Sequence, residues 1–375
     1  MAYTTIDDPS EYFTSTLYVG NATARSITND ANAGNFQPDW LWVKVRNNAN
    51  NHRWFDSNRG HGEDLKSNLT EGGEDSTDRC TGFDSNGFSL GVNAEVNSNT
   101  HNITAWQWKV NAGTKANNTA GNITANVQLN AEAGISIGTY TGNGSDQQTV
   151  GTGLGDLTNS LILVKRRNAA SNWAVGGGTN IVGTGGSRYL QLNTATAAQG
   201  GGENSGENQN GTVNLSGYSS GAASGLFQVN LNGTDGVDVN ANNSTYIFYA
   251  LKSIQGYSKV GKYTGSGTTD GAFVYTGFKP AWVMIKRTGG TENWVIWDNQ
   301  RDPFNNFYHV LLANAASVED TSNAGSSGRY VGDFLSNGFK LRNTHATSNA
   351  SSTYIYMAFA EHPFVSSEGT PVTAR

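Results

Sequence analysis

Three stretches of this chain repeat one another, and the repeat is about one domain long, so each copy is a whole domain and not a solenoid unit. Each copy opens on a short strand with a Tyr-x-Gly-polar turn: Leu17-Tyr18-Val19-Gly20-Asn21, Thr139-Tyr140-Thr141-Gly142-Asn143 and Lys262-Tyr263-Thr264-Gly265-Ser266. The glycine is expected to supply a positive φ there. A nearly continuous apolar run follows: Pro38-Asp39-Trp40-Leu41-Trp42-Val43-Lys44-Val45-Arg46, Ser160-Leu161-Ile162-Leu163-Val164-Lys165-Arg166-Arg167 and Pro280-Ala281-Trp282-Val283-Met284-Ile285-Lys286-Arg287. The offsets from turn Gly to strand Lys are 24, 23 and 21 residues, so one register serves all three. Such runs read as central strands buried on both faces that emerge into a loop at the Lys-Arg end.

Later landmarks keep the same order. A Trp comes next at Trp54, Trp173 and Trp294, followed in copies one and three by Asp56-x-x-Arg59 and Asp298-x-x-Arg301, where copy two has Gly176-Gly177-Gly178. An Asn-Gly hairpin signal recurs at Ser85-Asn86-Gly87-Phe88 and Ser336-Asn337-Gly338-Phe339, with Leu231-Asn232-Gly233 as the weaker equivalent. Each copy closes on an aromatic strand: Ile103 to Trp108, Tyr246 to Leu251, Tyr354 to Phe359. The expected organisation is all-β, with three tandem antiparallel β-sandwich modules: module one over 1–112, a linker and module two over 113–254, and module three over 255–375. The linker Asn111 to Gly121 leads into the period-two run Ile123 to Leu129, and Gly200 to Gly211 is expected to be a long exposed loop.

Composition agrees with turn-rich β structure and excludes several functions. Charged residues make up 14% and apolar residues 36% of the chain, and Gly numbers 47. A net charge of -6 leaves no basic footprint for nucleic acid or an anionic membrane. Cys80 is alone, which rules out an intrachain disulfide and a multi-Cys metal site. The start, Met1 to Ser10, lacks the basic and apolar regions of a secretory signal, and no run of about 18 apolar residues occurs. A protein made in the cytosol yet built like an extracellular adhesin fits a virion component, assembled inside a host and working outside it.

The opening Met1 to Pro9, the Leu17-Tyr18-Val19-Gly20-Asn21 turn, the Pro38 to Lys44 strand, the Phe83 to Phe88 hairpin and the Ala105-Trp106-Gln107-Trp108-Lys109 strand resemble a family of tailed-phage proteins found in marine and cyanobacterial phages. The resemblance covers most of the chain. It implies concanavalin A-like (laminin G-like) jelly-roll modules in a virion surface component, a tail fibre or a capsid decoration protein, and carries over no catalytic or binding residue. Module two departs from the pattern, lacking the aromatic strand opening and the Asp-x-x-Arg.

Catalysis, cofactors and metals find no constellation. Glycoside hydrolysis needs two facing carboxylates, and no strand carries them. Glu71, Glu74, Asp75 and Asp78 read as a solvated acidic loop, with metal or substrate binding as the minor reading. His52 and His61 read as surface residues, Cys80 as a buried or incidental thiol, and Gly176 to Gly186 as a loop, not a phosphate cradle. Asp56 with Arg59 and Asp298 with Arg301 are the sharpest repeated polar feature. They admit two readings: a buried ion pair that pins a loop beneath the Trp, or a corner that binds a sugar or a partner. The expected function is a non-enzymatic structural and interaction protein of a phage particle, with other virion proteins and further copies of itself as partners and host-surface polysaccharide as a further contact. A glycan-binding receptor lectin is the alternative, and an active depolymerase a weaker one.

Overall fold

The computed structural model describes residues 3–29, 34–178, 189–198, 213–214, 224–230, 238–322 and 330–372. The chain is all-β and antiparallel. In module one the strands are β1 (Phe13–Val19), β2 (Arg25–Thr28), β3 (Trp40–Val45), β4 (Arg53–Asp56), β5 (Gly60–Leu65), β6 (Glu74–Asp75), β7 (Cys80–Asp84), β8 (Gly87–Leu90) and β9 (Asn102–Trp108). Module two holds β10 (Ala116–Asn118), β11 (Ala125–Asn130), β12 (Ile135–Thr141), β13 (Gln148–Gly151), β14 (Ser160–Arg166), β15 (Ala174–Gly177), β16 (Leu190–Gln191), β17 (Val213–Asn214), β18 (Leu226–Val229) and β19 (Thr245–Lys252). Module three holds β20 (Ser258–Thr264), β21 (Phe273–Tyr275), β22 (Phe278–Arg287), β23 (Val295–Asp298), β24 (Leu311–Leu312), β25 (Gly332–Leu335), β26 (Gly338–Leu341) and β27 (Thr353–Pro363). The one α-helix among the described residues, Ala94–Asn97, is a single turn, and none is long and apolar enough to cross a membrane.

Each module pairs a large sheet with a three-stranded one. The large sheets run β1-β9-β3-β4-β5-β6, β10-β11-β12-β19-β14-β15-β16 and β20-β27-β22-β23-β24; the small ones are β2-β8-β7, β13-β18-β17 and β21-β26-β25. Five strands of each large sheet therefore correspond, and module two adds β10 and β11 outside its first one. The period-two run after the linker is thus part of a sheet.

Alternation along the central strands explains their continuous apolar character. Leu41, Val43 and Val45 of β3 point at the small sheet and pack with Phe55, Cys80, Phe88 and Ile103. Trp40 and Trp42 point the other way. Their face meets no sheet of module one; it meets the large sheets of the other two modules, where Trp40, Trp42, Trp54, Trp106 and Trp108 join Leu163, Trp173 and Tyr249 of module two and Trp282, Met284, Trp294 and Phe359 of module three in one core. The described residues thus form one core per sandwich and a fourth shared by all three. Eight of the nine tryptophans lie in the shared core, and the ninth, Trp297, in that of module three. Each indole removes roughly 200 Å² from water, about 5 kcal/mol gross, so a module detached from its neighbours would expose an apolar face. The N-terminal segment closes the ring: Ile6 enters the shared core, and Tyr3 and Thr4 donate hydroxyl bonds to the carbonyls of Gly277 (2.8 Å) and Gln255 (2.8 Å).

Three local expectations are corrected. Gly20, Gly142 and Gly265 do not have positive φ; they are glycine because a Cβ would lie 1.9, 2.4 and 2.2 Å from the carbonyl oxygens of Ser98, Ala241 and Ala350. Gly176 and Gly177 belong to strand β15 and not to a loop, while the remainder of that stretch beyond Gly178 lies outside the described residues. The hairpin signals at Asn86-Gly87 and Asn337-Gly338 join β7 to β8 and β25 to β26. In module two, however, strand register makes Phe227 the match of Phe88 and Phe339, two residues after Gly225 at φ 77° and ahead of Leu231-Asn232-Gly233 in the chain. That tripeptide, like Gly200 to Gly211, lies outside the described residues.

Candidate functional site

The polar residues that recur from module to module converge on the seams between modules, in one rotational sense. Strand register gives the equivalences: β3 pairs Trp42 with Trp54, β14 pairs Leu163 with Val175, and β22 pairs Met284 with Ile296. Trp54 is therefore not the counterpart of Trp173 and Trp294; His52 is. The backbone N–H of His52, Trp173 and Trp294 donates to the side-chain carbonyl of Asn68 (3.0 Å), Asn193 (2.8 Å) and Asn314 (2.9 Å). Each of these asparagines donates in turn to Asn51, Asn172 or Asn293. Each ring then crosses a seam. Trp173 Nε1 donates to Lys66 O (2.9 Å), Trp294 Nε1 to Gln191 O (3.0 Å), and His52 Nε2 lies 2.9 Å from Leu312 O. Because His52 Nδ1 accepts from Trp42 Nε1 (2.8 Å), its proton sits on Nε2. Burial pushes His52 well below the usual imidazole range and keeps it neutral. It is fully buried, which corrects the surface reading.

The central-strand lysines follow the same rotation, and instead of emerging into solvent they are fully buried. Lys44 Nζ donates to Ala316 O of module three (3.3 Å), Lys165 to Thr70 O of module one (3.0 Å) and Lys286 to Ala195 O of module two (2.9 Å). Each also holds a carbonyl in its own module, so the ammonium protons meet acceptors inside the fold. Burial pushes Lys44 and Lys165 down to about 7 and Lys286 to about 8. Beside them a backbone bond bridges each seam, from Glu319, Gly73 and Ala198 N–H to the carbonyls of Arg46, Arg167 and Thr288.

The Asp-x-x-Arg pairs sit at two of the three seams. Arg59 Nε lies 2.6 Å from Asp56 Oδ2, and Arg301 Nε 2.5 Å from Asp298 Oδ2, with all four side chains at 0% exposure. Each carboxylate also accepts a bond from the next module: Asp56 from Tyr249 Oη (2.7 Å) and Asp298 from Trp106 Nε1 (2.9 Å). Each Arg shares a second carboxylate with an Arg across the seam, Arg59 and Arg167 on Glu63, Arg301 and Arg46 on Glu319. Burial alone would raise Glu63 and Glu319, but the arginines hold both below the usual carboxylate range. At the third seam the position of Asp56 is Gly177, and the position of Tyr249 and Trp106 is Met357. Donor and acceptor are missing together, as expected of a charge that is buried only where it is paired.

Other candidates are accounted for locally. Glu74–Asp75 form strand β6, and Glu74 takes bonds from Lys66, Arg53 and Arg79, which hold it down near 2 against the effect of burial. Among the described residues no group of three His, Cys, Asp or Glu could hold a metal ion. Cys80 is buried, and burial pushes its thiol up to about 12.

Fold and seams together define an all-β protein whose three fused sandwiches form one closed body. The chain belongs to the DUF7483 family, described as a domain of unknown function, whose family model matches residues 8–363. One family unit thus spans all three modules. No curated protein and no solved structure matches the chain.

Proposed function

We propose that this protein is a non-enzymatic structural and interaction component of a bacteriophage particle, a tail fibre or capsid-surface protein that presents a rigid three-sided body. The observation that carries this reading is the use of the repeated polar residues: His52, Trp173 and Trp294, the three lysines and both Asp-Arg pairs all tie module to module. What the repeat preserves is a shape. A body held this way offers three related outer faces, and weak contacts made by several faces at once multiply in effective concentration. The motifs of the opening strand, the Trp strand and the hairpin, which resemble those of tailed-phage surface proteins, support the same assignment.

The test is a cryo-EM map of the particle encoded alongside this chain, fitted with the three-module body. Density on the capsid lattice or at the tail periphery is the expected result, the tail position favouring host-surface contact. Absence of the protein from purified particles, by mass spectrometry and by density, would overturn the proposal.

A further inference from the structure

The seams differ in one respect that the rotation exposes. Where module two meets module one, β11 runs along the outer edge of β12 and reaches across. Gln128 Nε2 donates to Ser57 Oγ (3.0 Å), and Asn58 Nδ2 donates to both Asn126 O (3.1 Å) and Ile137 O (3.0 Å). Where module one meets module three, the positions of Ser57 and Asn58 are Asn299 and Gln300, one and two residues past Asp298 as the former are past Asp56. The position of β12 is β1, which pairs with β9 and ends its sheet. Among the described residues no strand occupies the place of β11. In its stead lies a cleft of about 430 Å³, lined by Phe13, Ser15, Asn299, Gln300, Glu361 and His362. Ser15, 3% exposed, aligns with Ile137, and its hydroxyl has no hydrogen-bond partner among the described residues. Further along the same edge Leu17 and Val19 are 39% and 53% exposed.

A free strand edge displays unpaired backbone donors and acceptors and is a template for another strand. We propose that this cleft is a strand-acceptor site, in which an extended segment of a partner polypeptide pairs antiparallel with β1 and takes the place that β11 holds at the neighbouring seam. The chain supplies the template for the occupant: β11 alternates small or apolar residues with amides, and its Gln128 amide and Asn126 carbonyl satisfy Ser57 and Asn58 on the facing module. Asn299 and Gln300 are placed to make the corresponding bonds, and Ser15 to bond the incoming chain. The inference needs no particle, so it stands or falls separately from the virion assignment.

The probe is a fluorescein-labelled peptide of residues 122–131, titrated with the full chain and read by anisotropy, beside a scrambled peptide of the same composition. Saturable binding at one peptide per chain is expected, weakened about tenfold or more, or about 1.4 kcal/mol, by the double substitution Asn299→Ala with Gln300→Ala. Those residues lie on the turn after β23, and an unchanged melting temperature verifies that the variant folds. Failure to saturate at millimolar protein, equal binding of the scrambled peptide, or indifference to the double substitution would each overturn the proposal. Sedimentation of the protein alone adds a further arm: a concentration-dependent dimer abolished by the same substitutions would make a second copy's edge the occupant and overturn the heterologous assignment.

Discussion

Replacing Tyr249 by Phe removes one oxygen and leaves the packing of the shared core in place. The lost bond is a 2.7 Å contact from a buried hydroxyl to the buried Asp56 carboxylate, across the seam between modules two and one. A hydrogen bond to a charged group contributes about 1.5–3 kcal/mol, and Asp56 keeps Arg59 as its partner, so no unpaired charge is created. How that loss appears in a melt depends on the size of the unit that unfolds. At roughly 2.1 cal/mol/K per residue, the 375-residue chain melting as one body loses about 2–4 °C, whereas a separately melting module of about 130 residues would lose about 5–11 °C. Differential scanning calorimetry distinguishes the two. One transition, shifted as a whole by the smaller amount, is expected; two or more transitions of which only one moves, by the larger amount, would refute the shared-core reasoning.

Three more expectations follow from the same geometry. Lys44, Lys165 and Lys286 sit near 7 to 8 in the fold and at their ordinary 10.5 when unfolded, so between about pH 7 and pH 10 the unfolded chain binds more protons and stability rises with pH. Above pH 10 buried tyrosines such as Tyr140 and Tyr249, whose hydroxyls burial raises, reverse the trend. Urea unfolding from pH 6 to 11 should therefore show a maximum near pH 9–10 that Lys165→Met flattens, and a curve falling from pH 7 upward would contradict the lysine assignment. Gly20→Ala forces a Cβ to within 1.9 Å of Ser98 O and should cost about 1–3 kcal/mol or more, read from the urea midpoint. Residues 255–372 expressed alone leave Trp282 without its module-one partners Trp42, Trp106 and Trp108 and Trp294 without its module-two acceptor Gln191, so this fragment should bind a hydrophobic dye or aggregate; a soluble, dye-negative fragment would show that module three needs no neighbour.

Most strands were legible because β3, β14, β22 and the closing strands are short apolar runs bounded by turn residues, and β11 alternates with period two. What could not be read was the identity of the second buried face. Trp40 and Trp42 require cover, yet a chain of letters does not say whether a sheet of the same module or a sibling module supplies it. The lysines misled for the same reason: Lys44 ends an apolar run, as a strand entering solvent would, and only the neighbouring module's carbonyl at Ala316 makes it an interior residue. Indole likeness also drew Trp54 into line with Trp173 and Trp294. A readable signal favoured His52 instead: Asn51, Asn172 and Asn293 each stand seven residues after the strand lysine, directly before His52, Trp173 and Trp294. The Asp-x-x-Arg motif was visible as a repeat, but its seam partners Tyr249 and Trp106 are more than 190 residues distant.

The central claim is that the three modules close around one shared tryptophan core. Small-angle X-ray scattering of the dilute chain tests it directly. A compact body of 375 residues should have a radius of gyration of about 21 Å; a value of about 30 Å, as expected for three such modules strung in a line, would contradict it.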